Sequence, residues 1–360
     1  MTRIYLDDAG SAPVLPEVRA ALQDVPDGNP SSPHSEGRAA RAALDRARDA
    51  AGIALGAKRT EVTFVSSGTE AVNLALFGIA GPLLTWAAEH QAVLGAARRM
   101  EAMGRDAVIA PVDGHAQVDV DAIKRGIGLV SVGLANNEVG TIQPVADVIE
   151  RAHEVGALVH VDACAGPRWL PIPPGADLVS LSGHKLGAGR GGLLLVREGV
   201  RIEPMLFGGP QEWGRRAGHE DVPSAVAMAT ALAASASQRD EHARVAGRQG
   251  ETLRAALVEL GAALTGGEPR LPNFATCVVD GRRGEDMLLA LDLAGVAASS
   301  GSACASGSLD PSHVLLAMGL SLEGALGSLR LTTGWSTTDE DITQAIGILR
   351  SVLTRAPSHA

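Results

Sequence analysis

A lysine follows a Ser-Gly-His sequence between two apolar segments of the chain. Residues 177–181 and 192–196 are predicted strands, and Lys185 comes directly after Ser182-Gly183-His184. Burying an ammonium group costs several kcal/mol unless it is paired or neutralised. A lysine held as a Schiff base avoids this cost and takes part in a reaction. The pattern therefore predicts covalent chemistry at Lys185, with an ordinary loop lysine as the alternative.

An acidic residue and a turn of small residues follow two other predicted strands, each at the strand's carboxyl end. Asp162 follows the strand predicted over 158–161, at the end where α/β sheets bind ligands. The strand predicted over 62–66 leads through Gly68 and Thr69 into a helix, so free N–H groups and the positive helix end face an anion. Simple helix capping is the alternative for both features.

These features together fit pyridoxal 5′-phosphate. The lysine would form the imine, the carboxylate would keep the ring nitrogen protonated, and the helix start would hold the phosphate. A P-loop is not predicted because no Gly-Lys-Ser/Thr sequence follows the turn. A nicotinamide site is not favoured, since the glycine-rich residues 187–192 precede a strand instead of following one.

Length, composition and net charge limit the classes of protein to which the chain can belong. With 360 residues, 46% of them hydrophobic, the chain can form one large domain and a smaller one. A net charge of −10 without a basic stripe argues against direct nucleic-acid binding. No apolar run reaches the roughly 18 residues that span a bilayer, and the acidic N-terminus does not resemble a signal peptide. The three cysteines lack metal-ligand spacing, so we expect a cytoplasmic protein with reduced thiols and no metal site.

Seven short apolar segments alternate with helical segments before Pro223. The predicted strands are 62–66, 83–86, 107–110, 129–132, 158–161, 177–181 and 192–196. The predicted helices are 34–55, 69–79, 89–103, 120–125 and 144–155, with residues 1–15 extended. This alternation predicts an α/β fold with a largely parallel sheet covered on both faces.

The pattern of predicted strands and helices changes after Pro223. An alanine-rich helical region, 224–260, leads to predicted strands 274–279 and 329–332 and helices 285–293, 311–318 and 338–353. We therefore predict an N-terminal segment, 1–15, that packs with a small domain, a large cofactor-binding domain, 16–245, and a small α+β domain, 246–360, that carries Cys304.

Five motifs occur in order along the chain: Gly28-Asn29-Pro30-Ser31-Ser32-Pro33-His34, Glu89-His90-Gln91-Ala92-Val93-Leu94, Ala135-Asn136-Asn137-Glu138-Val139-Gly140, Ser182-Gly183-His184-Lys185 and Ser299-Ser300-Gly301-Ser302-Ala303-Cys304. With these motifs the chain resembles the cysteine desulfurases of the NifS/IscS type, nearly from end to end. The resemblance implies the class V aminotransferase fold, a pyridoxal-phosphate-dependent transferase of fold type I. It also implies a seven-stranded, mainly parallel sheet and a homodimer.

The resemblance also implies a role for each matching residue. Lys185 and His90 would be catalytic, with His90 stacked over the ring, and Asp162 would hold the pyridine nitrogen. The remaining cofactor contacts would be Asn137 at the ring hydroxyl, Gly68, Thr69, Ser182 and His184 at the phosphate, and His219 at the phosphate of the other subunit. Arg330 and Asn29 would bind the substrate, with Arg330 as a planar clamp for its carboxylate.

Cys304 would be the nucleophile. It lies in a run of Gly, Ser and Ala residues with little apolar surface for packing, which suits a residue that meets a substrate and then a partner. Cys164 and Cys277 are expected to be inert buried thiols. The extended form of this motif resembles the group of these enzymes that pass sulfur to separate acceptor proteins.

Three positions depart from the family pattern. Ala165 stands where a glutamine assists Asn137, and His219 stands where a threonine reaches the partner's phosphate. The opening sequence is Asp7-Asp8-Ala9-Gly10-Ser11-Ala12 in place of Asp-Asn-Asn-Ala-Thr-Thr. These changes bear on substrate placement and cofactor affinity.

The resemblance implies a cysteine desulfurase that converts L-cysteine to L-alanine and passes a persulfide from Cys304 to an acceptor or scaffold protein. Within the same fold, the alternatives are a selenocysteine lyase and a class V aminotransferase, of which the aminotransferase has no need of Cys304. A non-catalytic subunit that retains the cofactor and docks other proteins is the alternative from a different class.

Overall fold

The structure, a computed structural model, describes residues 3–301 and 311–354 of the chain. Its first part consists of β1 (Ile4–Tyr5), α1 (Pro16–Gln23), α2 (Ser35–Leu55), β2 (Val62–Val65), α3 (Gly68–Gly78), β3 (Leu83–Trp86), α4 (Gln91–Ala102), β4 (Ala107–Ala110), β5 (Leu129–Gly133), α5 (Val145–Glu154), β6 (Leu158–Asp162), β7 (Leu178–Ser182), α6 (Gly183–Leu186) and β8 (Gly192–Val196). Its second part consists of α7 (Val222–Glu259), β9 (Ala263–Leu264), β10 (Phe274–Val278), α8 (Gly284–Leu293), β11 (Val296–Ala297), α9 (His313–Ala317), α10 (Leu322–Leu326), β12 (Ser328–Thr332) and α11 (Asp339–Leu353).

A seven-stranded sheet with the order β2-β8-β7-β6-β5-β3-β4 forms the centre of the molecule. Strand β8 runs antiparallel to both of its neighbours, and the other pairs are parallel. The connection from β7 to β8 is a four-residue helix and a glycine-rich turn, which is too short for the crossover that parallel strands require. The seven predicted strands and the mainly parallel sheet are confirmed.

Alternating side chains of the strands point to two apolar cores. Leu193 and Leu195 of β8 lie in the core that helices α2, α5 and α7 cover. Leu194 and Val196 lie in the core under α3 and α4. Successive strand residues point to opposite faces, so a strand that is buried on both faces is apolar at nearly every position. This is why the sequence shows continuous apolar runs.

A third core lies after α7. Strands β12, β10 and β9 form an antiparallel sheet against α8 and α11, and strand β1 pairs in parallel with β11. Ile4 and Leu6 are buried in this core. The division of the chain into domains at residues 15 and 245 stays a prediction. Within the ranges 3–301 and 311–354, no helix is both long and apolar enough to cross a membrane.

One local prediction was wrong, and one helix was missed. The helix predicted over 120–125 is only a 3₁₀ turn, Val120–Ala122, because Asp119 caps its start and the chain turns at Gly126 with φ 95°. The extended segment predicted over 1–15 leads into helix α1, which the sequence analysis did not identify. Its signal is Pro16 in the first turn, where a proline favours a helix start.

Candidate active site

The carboxyl ends of three adjacent parallel strands form the floor of the site. Asp162 ends β6 and lies opposite Gly133, the last residue of β5. Ser182 ends β7, and Lys185 follows within α6. A pocket opens above these ends, and His90, Asn137, Asp162 and Lys185 line it. The structure thus brings together four of the predicted site residues.

Asp162 is a buried carboxylate at the floor of the pocket. Its side chain accepts a hydrogen bond from the backbone N–H of Cys164 at 3.0 Å, and the residue is 7% exposed. His160, two residues earlier on the same strand, bridges the hydroxyls of Ser131 at 2.9 Å and Ser180 at 2.8 Å. Burial lowers the pKa of His160 to about 4, so this ring stays neutral beneath the site.

His90 is the N-cap residue of helix α4. Its Nδ1 accepts a hydrogen bond from the backbone N–H of Ala92 at 3.1 Å, so the neutral ring carries its proton on Nε2. Burial lowers the pKa of His90, and the nearby charges of Lys185 and His313 act in the same direction. A neutral imidazole can lie against an aromatic ring without adding charge to it.

The start of helix α3 forms a narrow cradle beside the end of β7. Ser67 caps the helix by accepting from the N–H of Glu70 at 3.2 Å. A Cβ atom at Gly68 would lie only 2.5 Å from the Cys164 sulfur, so this position requires glycine. Opposite, the Ser182 hydroxyl lies 2.8 Å from His184 Nδ1, and burial lowers the pKa of His184 to about 4. The unpaired N–H groups of the first helical turn can hold an anion here.

Arg330 of β12 is 3% exposed and reaches the edge of the site. Its Nη1 donates to the backbone carbonyl of Asn137 at 2.8 Å, and its Nη2 pairs with Asp7 at 2.9 Å. Among the described residues, its Nε has no hydrogen-bond partner. The guanidinium is therefore fixed on one side, next to a residue that lines the pocket.

Other predicted site residues do not line this pocket within the single chain. Asn29 lies on an exposed loop, where its side chain accepts from the N–H of Ser31 at 2.9 Å. His219 is exposed on the loop that follows Arg216, and Arg216 pairs with Glu70 of helix α3 at 2.9 Å. Cys304 lies outside the described residues.

Glu89 is a buried titratable residue to which the sequence analysis gave no role. It lines the pocket, is 7% exposed, and accepts from the N–H of Gly133 at 3.0 Å. Burial raises the pKa of Glu89 to about 8, and the charge of Asp162 adds to the shift. Among the described residues, no lysine or arginine forms a salt bridge with it. The only signal in the sequence was its position directly before His90.

Cys164 also faces the pocket, two residues after Asp162. Burial raises the pKa of the Cys164 thiol, and the Asp162 carboxylate raises it further through its charge and a hydrogen bond. The thiol is therefore a neutral side chain between Asp162 and the α3 cradle. Its proximity to both follows from the sheet and could not be read from the sequence.

The chain is similar to proteins named as cysteine desulfurases and to solved NifS-like structures. It is 36% identical to the cysteine desulfurase IscS of Methanosarcina thermophila over 370 residues, which cover 97% of this chain and 92% of that protein. A solved NifS-like protein superposes with a TM-score of 0.91 at 29% identity and covers 98% of this chain and 99% of its own. A structure of SspA in complex with cysteine gives a TM-score of 0.79 at 28% identity and covers 91% of this chain and 98% of its own. The family model for class-V aminotransferases matches residues 4–344, and the chain belongs to this family.

Proposed function

We propose that the protein is a pyridoxal-phosphate-dependent cysteine desulfurase. The observation that carries the proposal is the convergence of Lys185, Asp162 and His90 in one pocket, next to the α3 cradle and Arg330. Relatives with 36 to 38% identity over nearly the whole chain are cysteine desulfurases by name. Such a pocket offers an amine, a carboxylate, a flat neutral ring and an anion site, which is the set that pyridoxal phosphate needs.

Each of these residues would hold one part of the cofactor. When bound, pyridoxal phosphate supplies an electron sink for the negative charge that develops on the substrate Cα. Asp162 would keep a proton on the ring nitrogen, His90 would lie against the ring, and Asn137 would contact its hydroxyl. The phosphate would be bound by N–H groups and hydroxyls at the α3 cradle, from Gly68, Thr69, Ser182 and His184.

Lys185 would have two tasks. In the resting protein its amine would hold the cofactor aldehyde. Once released by the substrate amine, it would move the proton from the substrate Cα, for which an ε-amine on a flexible stem is suited. Arg330 would bind the substrate carboxylate through charged hydrogen bonds and so fix the orientation of Cα. Asn29 is the second proposed substrate-binding residue.

Cys304 would carry the sulfur. Its thiolate would attack the sulfur of L-cysteine, so that a sulfur–sulfur bond forms as the carbon–sulfur bond of the substrate breaks. The electron pair of the broken bond stays on the substrate carbon, which takes up a proton and becomes L-alanine. The persulfide on Cys304 would then pass to a thiol of an acceptor or scaffold protein. No external oxidant or reductant is consumed in forming the persulfide.

We also propose that the protein acts as a homodimer in the cytoplasm. Four large apolar side chains are exposed close together in sequence, with Phe207 the most exposed at 86%: Met205, Leu206, Phe207 and Trp213. Exposed apolar patches of this kind mark interaction surfaces. They adjoin the loop of His219, which would reach the phosphate bound by the other subunit.

One experiment tests the proposed function. The purified holoenzyme is incubated with L-cysteine and a reductant, and sulfide and alanine are followed together. We expect equal amounts of both products, and we expect Lys185→Ala to abolish them along with the visible absorption of the bound cofactor. Lys124→Ala is the matched control, since Lys58 and Lys124 are the other lysines of the sequence and both are exposed. Formation of neither product by the wild type would reject a desulfurase and favour a docking subunit.

A further inference from the structure

His313, the first residue of helix α9, lies between two loops that border the pocket. Its Nε2 is 2.9 Å from the backbone carbonyl oxygen of Glu89. A carbonyl oxygen only accepts hydrogen bonds, so Nε2 must carry the ring proton. On the other side of the ring, Nδ1 lies 3.6 Å from Oε1 of Glu138. One imidazole thus contacts the backbone of one loop and the side chain of another.

Glu138 is buried and faces several positive groups. Its Oε2 accepts a hydrogen bond from the hydroxyl of Ser312, the residue before His313. Burial raises the pKa of Glu138, while the charges of His313, Arg330 and Lys185 oppose this shift. With Oε2 held by Ser312 and Oε1 at 3.6 Å from Nδ1, the Glu138 side chain lies against the ring of His313 and limits where the imidazole can sit.

The two loops carry residues proposed to contact the cofactor. Glu89 directly precedes His90, and Glu138 directly follows Asn137. The loops are already joined once near the sheet, where the Asn136 side chain donates to the carbonyl of Ala88 at 2.8 Å. His313 adds a second connection, and it comes from the part of the chain after α7. Its position therefore couples that part of the chain to the spacing of His90 and Asn137.

We propose that His313 is a positioning residue that sets the distance between the His90 and Asn137 loops by donating from Nε2 to the Glu89 carbonyl and packing Nδ1 against Glu138. This inference rests on the proposed function, because it concerns how these loops meet the cofactor. Its effect is on cofactor binding and orientation, since His313 itself does not line the pocket.

Two substitutions separate the hydrogen bond from the bulk of the ring. His313→Leu removes the donor to Glu89, whereas His313→Gln keeps an N–H donor of similar reach. His153→Leu is the matched control, because Nε2 of His153 is likewise 2.9 Å from an oxygen, that of the Asp177 carboxylate, but His153 lies on α5, away from the pocket. The readouts are the dissociation constant of pyridoxal phosphate and the visible circular dichroism of the bound cofactor, which reports its asymmetric surroundings.

We expect His313→Leu to weaken cofactor affinity about tenfold and to reduce the visible dichroism, with both restored in His313→Gln and unchanged in the control. Wild-type affinity and dichroism in His313→Leu would overturn the inference, as would equal damage in the Gln and Leu variants.

Nitrogen NMR of ¹⁵N-histidine-labelled wild-type holoenzyme adds a test that does not depend on the folding of any variant. It should show the proton of His313 on Nε2, and a proton on Nδ1 alone would also overturn it. Because neither readout needs L-cysteine, failure of the desulfurase assay leaves this test intact.

Discussion

Asp7 Oδ1 lies 2.9 Å from Nη2 of Arg330, so a carboxylate of the chain itself contacts the guanidinium that is proposed to bind the substrate carboxylate. Arg330 is almost fully buried, and a buried charge needs such a partner. The pair has a second consequence, because the negative charge of Asp7 weakens the attraction of Arg330 for any other anion. Asp7 therefore holds Arg330 in place, and it would compete with a substrate carboxylate bound there.

Asp7→Asn should separate these two effects. The asparagine keeps an oxygen for the hydrogen bond to Arg330 but removes the competing charge, so the apparent KM for L-cysteine should fall by several-fold, about 1 kcal/mol. Asp7→Ala removes the hydrogen bond as well, and its KM should rise. Steady-state sulfide release at a series of L-cysteine concentrations measures both. Equal KM values in the wild type and both variants would show that Asp7 has no part in substrate binding.

The three cysteines should differ sharply in reactivity. Burial raises the pKa of Cys277 to about 12, and burial also raises that of Cys164, so neither thiol forms a thiolate at neutral pH. Cys304→Ser should retain the cofactor and form no persulfide, whereas Cys164→Ser and Cys277→Ser should keep most of the activity. Mass spectrometry of the protein after L-cysteine treatment locates the persulfide. A persulfide on Cys164 would instead assign sulfur transfer to the thiol beside Asp162.

Glu89 should make the stability of the cofactor-free protein depend on pH. Its pKa is raised from 4.5 to about 8 on folding, so between these values the folded state holds a proton that the unfolded state has lost. The stability contributed by the neutral carboxyl is complete below pH 4.5 and is lost as the pH rises through 8. Glu89→Gln cannot ionise, so the free energy of unfolding of this variant should exceed that of the wild type at pH 8 to 9, by up to about 5 kcal/mol for roughly 3.5 pKa units.

Urea unfolding of the cofactor-free protein at several pH values measures this difference. The advantage of Glu89→Gln should shrink steadily toward pH 4.5. Glu101→Gln serves as the control, because Glu101 is an exposed glutamate on α4, the helix that begins two residues after Glu89. A constant difference between Glu89→Gln and the wild type across the whole range would show that Glu89 does not titrate in this window.

The sequence was sufficient to predict the central sheet and the site residues that lie at the ends of its strands. The apolar runs of the central strands are continuous because these strands are buried on both faces, and this pattern survives in a single sequence. Asp162 and Lys185 lie at the ends of adjacent strands, so parallel topology alone brings them to one edge of the sheet. Their convergence in the pocket followed from that topology.

Contacts between distant segments could not be predicted in this way. The pairing of Asp7 with Arg330 spans 323 residues, and the contact of Glu89 with His313 spans 224. Nothing in the local pattern around Asp7 or His313 indicates such a partner. The burial of Glu89 could not be predicted either, because a glutamate before a helix is normally expected to be exposed. Glu89 is buried only because α4 packs on the sheet.

His219 stands where the family resemblance implies a threonine within the proposed phosphate site. The Arg216–Glu70 ion pair ties its loop to helix α3, and its ring is exposed in the single chain, so a second subunit could be its partner. An imidazole N–H can donate a hydrogen bond to a phosphate oxygen, as a threonine hydroxyl can. Pyridoxal phosphate should therefore dissociate faster from His219→Ala than from the wild type, and His219→Thr, which supplies a hydroxyl donor, should bring the rate back toward that of the wild type. Dissociation is followed by the loss of visible absorption after dilution into an excess of a cofactor-free acceptor protein. Equal dissociation rates in the wild type and His219→Ala would mean that His219 does not contact the phosphate in the dimer.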